Sequence, residues 1–172
     1  SHVVSAVEYL LNYALDQRAS DVHFEPRRDQ SMVRMRIDGV LHRVHSLPKV
    51  VHPAVISRIK TLARLDIAEK RRAQDGRIKM ARGDREVELR VSTVSVAFGE
   101  KLVLRVFDPE VMVRDLADIG LLPEQLVPIE RAIARTSGLV LVTGPTGSGK
   151  TSTLYATLRA VATDGHRLAQ VD

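Results

Sequence analysis

"REVELRVSTV" at residues 85–94 and "KLVLRVF" at 101–107 decide the fold class of the N-terminal part, because both read as strands. In the first, Val87, Leu89 and Val91 point one way and Glu86, Glu88 and Arg90 the other, the period of two of a half-buried strand. Toward the N-terminus "MVRMRIDGVLHRV" repeats the alternation, with Val33, Met35 and Ile37 opposite Arg34 and Arg36. Asp38-Gly39 is a two-residue hairpin signal leading into a strand over 40–44. Val3, Val7, Leu10, Leu11, Ala14 and Leu15 recur at helical spacing and predict an amphipathic helix over 3–18. Its polar face is not basic, which favours a protein core over a membrane surface. Val55, Ile59 and Leu62 predict a second helix over 52–65. The order is helix, hairpin, helix, then two or three further strands: an α+β unit, with helices packed on an antiparallel sheet.

Asp108-Pro109 and Gly120 break this pattern, so a linker is expected over 109–122, between an N-terminal domain (1–108) and a second unit (123–172). The next helix starts near Pro123, although Pro128 removes an intrahelical donor and the regular helix could begin there instead. Leu139, Val140, Leu141 and Val142 form a short apolar run that reads as a buried strand of a parallel sheet. From Gly144 to Thr151 the chain then fits G-x-x-x-x-G-K-[ST]. Gly144, Pro145, Thr146, Gly147, Ser148, Gly149, Lys150, Thr151 and Ser152 form the expected anion nest at the start of a helix over 149–162. Lys150 is placed to reach the terminal phosphates of ATP, and the Thr151 hydroxyl to ligate Mg²⁺. A phosphate loop between strand and helix is the start of an α/β domain.

Composition narrows the functional classes. There is no cysteine, which excludes disulfides and thiolate metal sites within these 172 residues and suits a reducing compartment. No apolar run approaches the roughly 20 residues of a membrane-spanning helix, so direct membrane insertion is not expected. Aromatic residues make up only 3% of the chain, with no tryptophan, which argues against base-stacking platforms. The net charge of +5 sits at the front: residues 1–110 hold 20 Lys and Arg against 15 Asp and Glu, and residues 111–172 hold 6 against 6. The arginines are dispersed through predicted strands, which favours nucleotide or subunit contacts over nucleic acid.

Five segments stand in the order and spacing of one family: "RASDVHFEP" (18–26), "RIDGVL" (36–41), "RIKTLARLDIAEKRRAQDGRI" (58–78), "LRVSTVSVAFGEKLVLRVFD" (89–108) and "GLVLVTGPTGSGKTSTLYATL" (138–158). The chain resembles the secretion ATPases, the family of type II secretion protein E and the pilus-assembly motors, over nearly its whole length from Val3. That resemblance implies a PAS-like N-terminal domain joined to a RecA-like ATPase domain, with ATP and Mg²⁺ between them. It implies a cytoplasmic homo-hexamer, peripheral at the inner membrane of a bacterium, that works with secretion platform proteins and powers pseudopilus assembly. It also implies that Arg77, Arg90 and Arg105 direct positive charge at the nucleotide and act in catalysis with Lys150. A guanidinium suits that task, being a rigid fork that stays protonated.

The same residues admit other readings. The three arginines could instead be solvated strand-face residues paired with Glu86, Glu88 or Glu100. Asp21, His23 and Glu25 alternate on one strand face as metal ligands might, but two acids and a lone histidine are weak zinc evidence, and His42, His45, His52 and His166 show no ligand spacing. "EKRRAQDGR" reads as a solvated charged turn before a nucleic-acid patch. Beyond Thr151 the only acids are Asp164 and Asp172, neither set as a magnesium-organising or catalytic carboxylate, so this stretch by itself is expected to be inactive. With only 167–171 as a possible neighbour for the 139–142 strand, the last 50 or so residues are expected to be poorly supported. The alternative functions are a pilus-assembly or DNA-uptake motor of the same family, a subunit-interaction and hinge module without activity of its own, and a nucleic-acid translocase.

Overall fold

The alternating runs pair into a six-stranded antiparallel sheet in the computed structural model, which describes residues 2–108 and 114–163. Its strands are β1 (Asp21–Pro26), β2 (Gln30–Ile37), β3 (Val40–Pro48), β4 (Gln74–Arg82), β5 (Arg85–Val96) and β6 (Gly99–Phe107), in the order β3-β2-β1-β6-β5-β4. Two three-stranded groups thus meet where β1 pairs with β6. Sequence alternation located β5 and β6 and left room for a third strand after the second helix; that strand is β4. The Asp38-Gly39 turn joins β2 to β3 with φ values of 50° and 80°, the left-handed geometry a tight hairpin requires.

Both helices lie on one face of the sheet. Helix α1 (His2–Asp16) buries Val7, Leu10, Leu11, Ala14 and Leu15, and α2 (His52–Leu62) buries Val55, Ile56 and Ile59. They meet sheet residues such as Phe24, Val33, Met35, Leu102 and Leu104, each fully buried. Each such large side chain contributes about 1.5–3 kcal/mol through removal from water, which offsets the entropy of ordering the sheet. Both helices end through an arginine in the left-handed region, Arg18 (φ 53°) and Arg64 (φ 56°), where the next N–H reaches back to the carbonyl five residues earlier.

One residue breaks the apolar stripe of α2. Lys60 is 1% exposed, and its ammonium donates to the Glu69 carbonyl at 2.6 Å and pairs with the Glu100 carboxylate. It ties α2, the following loop and β6 together. The same loop lies so close to β4 that a Cβ on Gly76 would sit 2.9 Å from the Ala63 carbonyl oxygen, which explains the glycine in "QDGR".

The chain divides by contacts into two units, residues 1–107 and 108–172. Within the described part of the second unit are a 3-10 turn (Leu116–Asp118), α3 (Pro123–Ile133) and α4 (Lys150–Thr163). The turn lies against α4; Leu116 and Ala156 are buried there, and Arg159 pairs with Asp115 at 3.1 Å. One expectation holds over its alternative, and one needs correction. Helix α3 starts at Pro123, not Pro128, because the Leu122 N–H is capped by the Gln125 side chain (2.9 Å) while the Leu122 carbonyl accepts from Gln125 and Leu126 (2.8 and 3.1 Å). Pro128 then costs only the bond its N–H would have made near the helix start. Residues 139–142 form no strand: Leu139 is 82% and Leu141 76% exposed. Among the described residues nothing pairs with this run, and a strand without a ladder neighbour has no hydrogen bonds to hold it; the neighbour proposed at 167–171 lies outside the described residues.

Replacing Lys60 by Met should lower the unfolding free energy by about 3–5 kcal/mol, because Glu100 is left as an unpaired, largely buried charge. A urea titration of the variant measures this; a change below about 1 kcal/mol would show that the pair holds nothing together.

Candidate functional site

The phosphate loop leads into α4 through three glycines in positive φ: Gly144 (155°), Gly147 (75°) and Gly149 (94°). At Gly144 the need is steric as well, since a Cβ there would sit 2.8 Å from the Ser148 hydroxyl oxygen. The loop is closed by its own bonds. Ser148 N–H donates to the Pro145 carbonyl at 3.3 Å, and the Lys150 ammonium donates to the carbonyls of Gly144 and Pro145 at 2.7 and 2.8 Å. Intrahelical bonding resumes at Thr153, whose N–H reaches the Gly149 carbonyl at 2.9 Å. The N–H groups of Lys150, Thr151 and Ser152 stand in the first turn, where a helix offers no carbonyl partner and the dipole end is positive. Glycine crowding, first-turn amides and a close ammonium fit a phosphate chain. The exposed Thr151 hydroxyl fits a magnesium ligand.

The N-terminal unit, taken by itself, carries a second candidate feature. Cross-strand register sets Arg77 (β4) opposite Arg90 (β5), and Arg90 opposite Arg105 (β6). The same row runs on to Asp21 (β1) and Arg36 (β2). Five charged residues, four of them arginines, therefore cross five neighbouring strands on the face away from α1 and α2. Like charges directly opposite each other destabilise a sheet, so the row is a local conflict of the kind that marks functional surfaces. Its compensations are visible. The Arg90 guanidinium lies 4.0 Å from the centre of the Phe107 ring and 3.3 Å from Glu88; Arg77 lies 4.0 Å from Glu88; Arg105 Nε donates to Asp21 at 3.3 Å. The Glu88 contacts are the strand-face pairs that the alternative reading expects. Even so, the side chains of Arg77, Arg90 and Arg105 stay 69%, 56% and 62% exposed, so each is accessible to a ligand.

Asp21, His23 and Glu25 share that face, but the two carboxylates are taken up by cations. Glu25 accepts from Arg34 at 2.7 Å and Arg27 at 3.0 Å, with Lys101 at 3.5 Å. Burial pushes its carboxyl up, but the hydrogen bond and charge of Arg34, with Lys101 and Arg27, hold it below the usual range. Burial first and Lys101 second push the His23 imidazole below its ordinary value. No group of three His, Asp or Glu side chains set to hold a metal occurs among the described residues. Sequence reasoning missed Arg36 and Asp21 as members of the arginine row. Both were visible as residue types, but the register joining β2 to β6 through β1 was not.

The family described as Type II/IV secretion system protein matches the chain across residues 1–172. The chain belongs to this family. It is 52% identical over 165 residues to the type IV pilus assembly ATPase TfpB of Acinetobacter baylyi, covering 95% of this chain and 28% of that protein. It is 43% identical over 170 residues to type II secretion system protein E of Xanthomonas campestris pv. campestris, covering 99% of this chain and 30% of that protein. The chain thus spans about a third or less of the length of these relatives. Among solved structures it resembles the pilus retraction motor PilT with bound ADP at a TM-score of 0.45 and 19% identity, over 88% of this chain and 42% of that one, too loosely to fix any feature here. The family's two named roles, secretion and pilus assembly, are both represented among these relatives.

At the start of α2, His52 is 4% exposed, with Nδ1 2.6 Å from the Ser31 hydroxyl and Nε2 2.7 Å from the Glu100 carbonyl. The carbonyl can only accept, so Nε2 carries the proton and Nδ1 accepts from Ser31. Burial lowers its pKa, outweighing the hydrogen bond to Glu100. Because the folded value lies below the unfolded one of about 6.5, the unfolded chain binds more protons as pH falls. Stability is expected to be level above about pH 6.5 and to decline below it. Urea midpoints at pH 7.5 and pH 5.0 measure the slope, and His52→Gln should reduce it, with the remainder coming from His23, which is shifted in the same direction.

Proposed function

We propose that the full-length protein is the ATPase of a type II secretion motor, a homo-hexamer in which hydrolysis powers pseudopilus assembly. Gly144, Pro145, Thr146, Gly147, Ser148, Gly149, Lys150, Thr151 and Ser152 hold the triphosphate, Lys150 reaches its terminal oxygens, and the Thr151 hydroxyl ligates Mg²⁺. Arg77, Arg90 and Arg105 meet the negative charge that develops during phosphoryl transfer. Bound Mg²⁺ supplies neutralisation of the phosphate oxygens. The observation that carries this reading is the register-matched row of three exposed arginines in a chain that also carries a glycine-crowded phosphate loop.

In this reading residues 1–108 are a PAS-like domain, 109–122 a linker and 123–172 the start of a RecA-like P-loop domain. The antiparallel sheet with both helices on one face supports the first assignment, and the loop running into α4 supports the last. The motor is cytoplasmic and peripheral at a bacterial inner membrane, where platform proteins are its partners. Among the described residues no helix is long and apolar enough to cross a membrane. A second reading, type IV pilus assembly, is favoured by the 52% identity to a pilus assembly ATPase.

In the full-length protein Lys150→Ala should abolish nucleotide binding. Arg90→Ala should lower kcat by on the order of 100-fold with KM changed only a few-fold, since its interaction is made mainly in the transition state. Steady-state ATPase kinetics separate the two. Equal losses in kcat and affinity for Arg90→Ala would reduce it to a binding residue, and unchanged kinetics would remove the arginine row from the site.

A further inference from the structure

Asp21 is out of place. It is 4% exposed, yet it lies on the face of the sheet that carries charges, between two arginines on neighbouring strands. Its Oδ1 accepts from Arg105 Nε at 3.3 Å; its Oδ2 lies 3.5 Å from Arg36 Nε and accepts from the Ser20 hydroxyl at 2.9 Å. The carboxylate is fixed in turn. Arg36 donates from Nη1 to the Gly39 carbonyl at 3.1 Å, and Ser20 is held by its own backbone, its N–H donating to the Arg36 carbonyl at 2.9 Å and its carbonyl accepting from Val106 at 3.0 Å. A buried carboxylate costs several kcal/mol unless it is paired. Here that requirement forces the guanidiniums to come to it.

We infer that Asp21 is a positioning residue for Arg105, fixing that guanidinium in the arginine row; this rests on the reading of the row given above. The contact geometry shows how. Arg105 meets Asp21 through Nε, which leaves the terminal amino groups of its 62% exposed side chain out of that hydrogen bond. A fork held at its base and open at its tip presents two parallel donors to a phosphate. Without the negative charge, Arg105 faces Arg90 on one side and Arg36 beyond the empty position on the other, and repulsion drives it outward. Asp21 touches no reacting atom in this account and acts only through Arg105. The carboxylate that sequence alternation offered as a metal ligand is the anchor of an anion-binding arginine.

The test is a double-mutant cycle in steady-state ATPase kinetics of the full-length protein. Asp21→Asn, which keeps shape and removes charge, is expected to lower kcat about 10-fold with KM within about 3-fold, and Asp21→Glu to recover part of the loss. On an Arg105→Ala background the same Asp21→Asn change is expected to cost less than about 2-fold. An equal loss on both backgrounds, or an unchanged kcat for Asp21→Asn, overturns the inference while leaving the row intact. An unchanged kcat for Arg105→Ala overturns the reading of Arg105 and this inference with it. Should Asp21→Asn fail to fold, Ser20→Ala, which removes only the hydroxyl on Oδ2, takes its place in the cycle. Its expected loss is about 3-fold, absent without Arg105.

Discussion

The pairing of β1 with β6 is the constraint on which the rest of the N-terminal unit depends. It joins residues up to 84 positions apart in the chain and converts two separate three-stranded groups into one sheet. Loop closure over that distance costs entropy before any contact is made. What offsets it is apolar: Val22 opposes Leu104 and Phe24 opposes Leu102, all four essentially excluded from water. On the other face the same ladder places Asp21 against Arg105. Core formation and the alignment of the charged row are therefore two results of one register, and a slip by a single residue would put every arginine into the core.

Much of this was legible in the sequence, for identifiable reasons. Alternation in 32–37 and 85–94 gave the strands and their inward faces, because a side-chain period of two leaves no freedom about which residues share a face. The stripe of α1 was legible for the same reason, at the period of 3.6. Lys60 was not. A lysine inside an apolar stripe reads as a stripe boundary, and only the fold brings Glu100 and the Glu69 carbonyl to it. Nor was the run of 139–142 read correctly. Its composition has the β-branched character of a buried strand, but strand formation depends on a neighbour, which a local pattern does not contain.

The arginine row illustrates the same division between local and long-range information. Arg77, Arg90 and Arg105 can each be singled out by motif, and each lies on a polar strand face by alternation alone. That they stand side by side depends on two hairpin registers, and that Asp21 and Arg36 continue the row depends on the long-range ladder. The electrostatic consequence exists only in the assembled sheet. Neighbouring guanidiniums at cross-strand spacing repel, and their partners soften the repulsion unequally: a ring and a shared carboxylate for Arg90, a buried carboxylate for Arg105, an exposed and longer contact for Arg77. Positional freedom should rise from Arg105 through Arg90 to Arg77, since a buried charge tolerates displacement of its partner least.

The phosphate loop rests on a different physical basis. Its shape is set within nine residues: positive φ at three glycines, a turn from Ser148 to Pro145, and a lysine that returns to the loop's own carbonyls. None of these bonds needs the apolar run before it, and the loop keeps this form although Leu139 and Leu141 lie exposed. In the function proposed above, the Lys150 ammonium would exchange these carbonyl partners for phosphate oxygens. That exchange favours the ligand because a charged acceptor makes the stronger hydrogen bond. One of the two candidate features, the arginine row, is thus fixed by tertiary packing and is assembled only when the whole sheet has closed. The other is written in local chain chemistry, which is why a motif of eight residues could announce it while the arginines had to wait for a register.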